Sequence, residues 1–302
     1  FLRRTCPEHG EYQFLLSHHG PLYADLDLFY SKVLDSTKPR GRITNFWLIA
    51  TVECQKNCSY CSVETGGGRC RAMSLDELKG LIRTHGKSKL TFSGGEPTLH
   101  PNVMEFFREA RASGVVTQMA SNGIKLADYE FCKVLKEAGL TEVRLSMETT
   151  NPDKAMVVGT DPFVSKKFEA LKNLEALDIA TVLSPTIFKN ENEDELINQI
   201  EYAKDKPFVH SVSVNGFSWV GRGADLDREK MIMPDEMMDV IYKHYYNGNR
   251  EDIFTFQKAL YALLDVVKIR LCLYTQIIIF VRQPNKAVPI TEYLNMSRMR
   301  RG

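Results

Sequence analysis

Lys89-Leu-Thr-Phe-Ser-Gly-Gly-Glu-Pro-Thr-Leu-His100, followed by an amphipathic stretch from Asn102 to about Ser113 and by Val115-Val-Thr-Gln-Met119, decides how this chain folds. A β-type run, a turn rich in glycine and proline, a helix-period stretch and a second β-type run make one strand–helix–strand unit. Working outward, the same alternation recurs. Phe46-Trp-Leu-Ile-Ala-Thr-Val52 reads as a strand, and 74–84 as a helix whose Ser74-Leu-Asp-Glu77 start has capping-box form. Residues 129–138 predict a helix that ends at Gly139, the residue type a helix exit favours. Strands at 142–147, 180–184 and 210–214 then alternate with helices at 164–177 and 193–204. Strands joined by helix-length crossovers pair in parallel, with right-handed connections. Six such units in roughly 180 residues fall short of the roughly 250 that a closed eight-fold barrel takes. The expected fold is therefore α/β, an open, three-quarter (β/α)6 partial barrel over residues 43–223. Functional side chains are expected where its loops gather, at the carboxyl ends of the strands.

The flanks break the pattern. Residues 1–42 read as an N-terminal appendage, loop-rich, with Cys6-Pro-Glu-His-Gly10 and the pair His18 and His19. Residues 224–302 read as a C-terminal cap, with helices at 234–246 and 252–267, extended structure at 270–282 and a frayed basic end at Arg298-Met-Arg-Arg301. The charge-rich Asn190-Glu-Asn-Glu-Asp-Glu195 reads as a solvated helix start, where acids suit the dipole. Hydrophobic residues at 43% and charged residues at 25% exclude a disordered, collagenous or coiled-coil chain. Net charge is +1, from 39 basic and 38 acidic side chains, which counts against a nucleic-acid partner. The longest apolar run, near 276–281, is strand-sized and too short to span a bilayer. The start at Phe1 reads as an excised fragment, so compartment is read from the cysteines. Seven of them, three packed into eight residues, do not form a secreted disulfide framework, and a reduced cytoplasm fits better.

Those three carry the strongest chemical signal. In Cys54-Gln-Lys-Asn-Cys58-Ser-Tyr-Cys61, directly after the first strand, spacings of four and three let the thiolates converge on a metal cluster. A four-iron cubane held by three local ligands keeps one iron open, as a catalytic metal centre needs. The alternative is a closed iron-sulfur or zinc site, structural or redox in purpose, with Cys70 as fourth ligand beyond Gly66-Gly-Gly68. One β/α unit later stands Phe92-Ser-Gly-Gly-Glu-Pro97. Its glycines let backbone approach a ligand closely and its glutamate offers an acceptor for an ammonium group; a plain tight turn is the competing reading.

Together these motifs resemble the radical S-adenosylmethionine (SAM) superfamily, over residues 46 to about 217 and with the same order of β units. The resemblance implies that Cys54, Cys58 and Cys61 hold a [4Fe-4S] cluster whose fourth iron is chelated by the amino and carboxylate groups of SAM. It implies that Tyr60 lies near the adenine and that Gly94, Gly95 and Glu96 receive the methionine ammonium. Ser121, Asn122, Ser146 and Glu148 match positions that contact the ribose or carboxylate. The implied reaction is reductive cleavage of the sulfonium to a 5'-deoxyadenosyl radical, in an oxygen-sensitive enzyme served by a low-potential electron donor of flavodoxin or ferredoxin type. Such clusters reach about −700 mV at their most reducing. The radical would abstract hydrogen from a small organic or lipid-like substrate, leading to C–C bond formation, methylene transfer or epimerisation; a peptide or RNA substrate is the alternative within the same chemistry.

Three further segments resemble the branch that contains tetraether lipid synthase and the pterin-methylating radical enzymes: Cys6-Pro-Glu-His-Gly10, Thr186-Ile-Phe-Lys-Asn-Glu-Asn192 and Asn215-Gly-Phe-Ser-Trp-Val-Gly-Arg222. The first resembles a metal-binding module, truncated or degenerate here, in which Cys6 and His9 are candidate ligands. Arg222 is the candidate for a carboxylate or phosphate of the substrate, a salt-bridged loop arginine being the alternative. Cys70 and Cys272 are the candidate hydrogen-atom donors should a stereocentre be inverted. Cys132, inside a helix, reads as a small hydrophobe of the core.

Overall fold

In a computed structural model of the chain, the described residues are 1–15, 17–21, 24, 25, 28, 31, 45–63, 71–86, 88–151, 163–246, 250–267, 276–284 and 286–300. The chain forms two compact units, one of Ile43–Met231 and one of Phe1–Arg42 with Ile232–Gly302.

In the latter, β1 (Leu2–Cys6) and β2 (Gly10–Phe14) make an antiparallel hairpin. The former is a six-stranded parallel sheet in sequential order: β3 (Asn45–Thr51), β4 (Lys89–Gly94), β5 (Thr117–Ser121), β6 (Glu142–Leu145), β7 (Ala180–Leu183) and, after the two-residue β8 (Thr186–Ile187), β9 (Val209–Val212). Helices α1 (Leu75–His85), α2 (Val103–Ala112), α3 (Tyr129–Ala138), α4 (Val164–Ala176) and α5 (Glu195–Lys204) make the crossovers. Among the described residues β3 and β9 pair on one side only, so the sheet is open, as six units require. The local signals hold: Ser74 and Glu77 close a capping box on α1, and Gly139 ends α3. The third strand starts at Thr117 rather than Val115, because the Val115 N–H is used on Ala110 O to close the exit from α2.

The strands differ from the apolar runs expected of a sheet packed on both faces, because the helices cover one face only. Leu48, Ala50, Leu90, Phe92, Met119, Val143 and Leu145 are buried in one core with Phe106, Phe107, Leu135 and Leu171 of the helices. Burying each large side chain there contributes about 1.5–3 kcal/mol. The intervening positions face the other way. Trp47 and Ile49 on β3 are 54% and 52% exposed. The Thr91 hydroxyl lies 3.1 Å from both Asn45 Oδ1 and Gln118 Oε1, which places those three side chains on the same face, the one turned away from the apolar core. Glu142 joins them, taking Lys89 Nζ and Gln118 Nε2 at 2.5 Å each.

Beyond the sheet ends, β8 pairs in parallel with β10 (Asn215–Gly216), so two of the segments that resemble the branch are neighbours in space. Glu195, expected in solvent, is buried: Thr149 Oγ1 donates to it at 2.9 Å, and Thr150 through N at 2.8 Å and Oγ1 at 3.0 Å. The tertiary fold brings the loop after β6 onto the start of α5.

The other unit holds α6 (Pro234–Tyr245), α7 (Arg250–Val266), the antiparallel pair β11 (Phe280–Gln283) and β12 (Lys286–Pro289), and α8 (Met296–Met299). His18 Nε2 lies 3.3 Å from Glu236, and His19 Nε2 lies 3.1 Å from Asp239. Within the basic end expected to fray, Arg300 is tied, pairing with Glu251 at 2.8 Å and Asp252 at 2.5 Å. Among the described residues no helix is long and apolar enough to cross a membrane.

Candidate metal and cofactor site

Cys54, Cys58 and Cys61 stand on the loop that leaves β3, each partly exposed. Cys54 Sγ takes N–H groups from Lys56 N at 3.4 Å and Asn122 Nδ2 at 3.8 Å, while the Cys61 thiol donates to Val63 O at 2.8 Å. Burial pushes the Cys54 and Cys58 thiols up. On Cys58, Lys56 and Lys167 act against that and Glu148 adds to it. Two cations close enough to act on one thiol are a field that suits a thiolate-bound centre.

The donor set fits a multi-iron cluster. The thiolates of such a cluster each bind a different iron and need not meet at one point. Among the described residues no group of three His, Cys, Asp or Glu side chains converges on a single ion. Cys70 and Cys272 lie outside the described residues.

Three ties hold the loop in place. The first is the Gly94-Gly95 turn at the end of β4. Gly95 N donates to Thr51 O at 2.8 Å and Glu96 N to Glu53 O at 2.7 Å. A Cβ on Gly94, whose φ is +115°, would stand 2.3 Å from Thr51 O, and one on Gly95 would stand 2.2 Å from Glu53 O. The double glycine is therefore required by backbone crossing directly over the entry to the cysteine loop. The second tie comes from the far edge of the sheet. Arg222 N donates to Cys61 O and Arg222 Nε to Cys58 O, each at 3.0 Å. Gly221, with φ +57°, lies so close beneath that a Cβ would meet Cys61 O at 2.5 Å. The third is aromatic: Tyr60 meets the edge of Phe188, centroids 5.3 Å apart, and Phe188 stacks on Phe217 at 5.0 Å.

Glu96 is fully buried at the root of this arrangement. Thr98 N and Oγ1 donate to it at 3.2 and 2.7 Å, Ser121 Oγ at 2.9 Å and Asn122 N at 2.8 Å. Burial still pushes its carboxyl up, against those four hydrogen bonds. Ser121 and Asn122 thus join the Gly94–Glu96 turn to the cysteine loop, Glu96 holding Asn122, and Asn122 reaching Cys54. Just past β6, the Ser146 N–H donates to Ser121 O at 3.0 Å, and Glu148 pairs with Lys167 Nζ at 2.6 Å. Lys167 is 1% exposed.

The expected residues Gly94, Gly95, Glu96, Ser121, Asn122 and Tyr60 are accordingly gathered around the loop of Cys54, Cys58 and Cys61. Arg222 is brought to the backbone of that loop. Cys6 Sγ lies 3.3 Å from His9 Nδ1 in the exposed turn of the β1–β2 hairpin. The Cys132 thiol donates to Leu126 O at 3.0 Å in the core, where burial pushes it up to about 12. His100 bridges two elements, with Nε2 2.9 Å from Met73 O and Nδ1 accepting from Asn102 N at 3.1 Å. Sequence reasoning missed Lys167 and Arg144. Both left a signal: Lys167 is a charge in the apolar stripe of Val164, Leu171 and Leu174, and Arg144 alternates with Val143 and Leu145.

The Radical SAM superfamily profile matches residues 48–203, just over half of the chain. The 7,8-dihydro-6-hydroxymethylpterin dimethyltransferase of Methanocaldococcus jannaschii is 25% identical over 334 residues, covering 98% of this chain and 66% of that protein. The probable GTP 3',8-cyclase of Pyrococcus abyssi is 30% identical over 165 residues, 53% of each chain. The chain thus spans just under two thirds of the first relative and about half of the second. Streptococcus suis SuiB bound to its precursor peptide SuiA shares the fold at a TM-score of 0.57 and 13% identity, over 78% of this chain and 53% of that one. The profile runs through the strands whose ends carry the cysteine loop and the double-glycine turn. On that match, the chain belongs to the radical SAM superfamily, whose members use a [4Fe-4S] cluster and S-adenosylmethionine.

Proposed function

We propose that this chain activates a C–H bond of a compact organic or lipid-like substrate, with C–C bond formation or methylene transfer as the outcome. The observation that carries the reading is the cysteine loop, three thiols whose backbone is pinned at Thr51–Glu53 by the glycine turn and at Cys58 and Cys61 by Arg222. When bound, a reduced cluster would pass one electron to the sulfonium of SAM, whose C5'–S bond would break to leave methionine and a 5'-deoxyadenosyl radical. The chain's part is to bind and orient. Cys54, Cys58 and Cys61 hold three irons, leaving the fourth to the cofactor. Gly94, Gly95 and Glu96 receive the methionine ammonium. Among the described residues no lysine or arginine pairs with the buried Glu96 carboxylate, and a cation arriving beside it relieves that cost. Tyr60 flanks the adenine. Ser121, Asn122, Ser146 and Glu148 serve the ribose and carboxylate, with Lys167 holding Glu148 in place. The similarity to the pterin dimethyltransferase along 98% of this chain supports a small substrate and one-carbon chemistry. Epimerisation is a third outcome, and would call on Cys70 or Cys272. The electron would come from a flavodoxin or ferredoxin type of donor in the cytoplasm.

Anaerobic reconstitution of the full chain tests this. The expected result is a brown protein with about four irons that forms 5'-deoxyadenosine under a strong reductant. A colourless, iron-free product eliminates the proposal. Cys70→Ala distinguishes the closed four-cysteine site: retention of the cluster supports the open corner, and its loss supports the closed site.

A further inference from the structure

We infer that Arg144, with Trp47 beside it on the open face of the sheet, is a substrate-anchoring site that selects a molecule bearing a carboxylate or phosphate group. The inference rests on the proposed function for what the site serves.

Arg144 is central on β6, and its guanidinium carbon lies 5.3 Å from the centre of the Trp47 ring. Nη1 reaches Ser184 Oγ at 3.3 Å, while Nε is buried with no hydrogen-bond partner. A buried N–H left unpaired costs about 1–3 kcal/mol, more when the group is charged. The carboxylate that should answer it is Glu142, two residues back on the same face. That group is already occupied by Lys89 and Gln118 at 2.5 Å and by His210 at 3.4 Å. Burial would raise the Glu142 carboxyl, but hydrogen bonds from His210 and Lys89 outweigh it and hold the group at about 2. Arg144 itself is lowered by burial, and among the described residues no carboxylate forms an ion pair with it. The fold has half-buried this arginine, with Nε wholly enclosed, and committed the adjacent carboxylate elsewhere.

An oxyanion is what such a group lacks, and the planar guanidinium fork meets carboxylate or phosphate through two parallel hydrogen bonds. Trp47 and Ile49, half exposed at alternate positions of β3, offer an apolar wall for the rest of the molecule. Scale follows from strand geometry. Ser146, proposed to face the cofactor, is two residues beyond Arg144, about 6.6 Å along the strand. A substrate anchored at Arg144 therefore presents to the cofactor a carbon only a few bonds from its anionic group, which favours a compact molecule.

The test is titration calorimetry of the anaerobically reconstituted full chain with inorganic phosphate and, separately, with benzoate. Both are expected to bind, or the one whose chemistry the substrate shares; which of them binds more tightly identifies phosphate or carboxylate. Arg144→Gln should weaken binding at least about tenfold, the loss of one charge-assisted contact. Trp47→Leu should weaken benzoate more than phosphate. Arg144→Lys, which keeps the charge without the fork, decides the matter if the Gln variant melts below the assay temperature: weakened binding supports the site and wild-type affinity overturns it. A folded Arg144→Gln that binds both probes as the wild type does also overturns it. Iron content and 5'-deoxyadenosine formation on the same preparation keep the two proposals apart. Protein that makes 5'-deoxyadenosine but binds neither probe sinks the anion site alone. Protein that binds a probe through Arg144 but holds no iron sinks the radical reading alone.

Discussion

The two faces of the six-stranded sheet are made from alternate residues of the same strands, and they obey opposite rules. On the helix-covered face, Leu48, Phe92, Met119 and Leu145 are closed into one apolar core. On the open face, Lys89, Gln118, Glu142 and His210 form a polar network, and Arg144 is left over from it. Packing density settles the first face, where any lost methylene is felt. Charge bookkeeping settles the second, where a group can be left unsatisfied because a ligand will satisfy it. Stability and chemistry are thereby assigned to opposite sides of a single sheet.

The largest expected effect breaks the comparison at the strand ends. Cys58→Ala should remove cluster iron and reduce 5'-deoxyadenosine to background, while the unfolding free energy of the iron-free chain changes by less than about 1 kcal/mol. An iron assay with parallel melts checks it. Phe106→Ala attacks the covered face instead. Phe106 is fully buried, stacked on Phe92 at 5.6 Å and beside His100 at 4.5 Å, so unfolding by urea should show a loss of about 3–5 kcal/mol. Lys167→Met lies between the two, since it removes the ammonium from a nearly buried pair with the Glu148 carboxylate. It should cost about 3 kcal/mol, with weaker SAM binding in the same variant.

Arg222→Ala removes one charged hydrogen bond, to Cys58 O, and keeps a backbone N–H on Cys61 O. A loss of about 1.5 kcal/mol would appear as roughly tenfold faster iron release to a chelator. Unchanged release would show that the clamp on the cysteine loop is incidental. The smallest effect sharpens the open face. Because the Glu142 carboxyl sits at about 2, below its ordinary 4.5, the stability it supplies is full above about pH 4.5 and vanishes as pH falls towards 2. The gap between wild type and Glu142→Gln, about 1 kcal/mol after allowing for solvent screening, should therefore close over that range in acid unfolding curves.

Much of this could be read from the chain. Ser74 and Glu77 announced α1 and Gly139 the end of α3, because caps are local devices. The cysteine spacing points to a cluster loop by the same local logic, and the structure places the three thiols together on the exit from β3. Glu195 misled because a run of acids beside a helix start looks solvated until Thr149 and Thr150 are folded onto it. The sequence leaves Arg222 open between a substrate contact and a loop arginine, and it gives no sign that Nε donates to Cys58 O, 164 residues away. No local pattern encodes such a partner.

What the amino-acid order by itself determined is the succession of strands and helices, the parallel open sheet they must build, and the thiol loop at its first strand. Each depends on neighbours a few residues apart, where spacing and side-chain type suffice. Only the tertiary structure decided that the double glycine serves a crossing of two backbones, that a distant arginine grips the cysteine loop, and that Glu142 is taken by partners from other strands while Arg144 is not. A charge is neutralised by whatever lies within a few ångströms of it, and that company is known only once the chain has closed on itself.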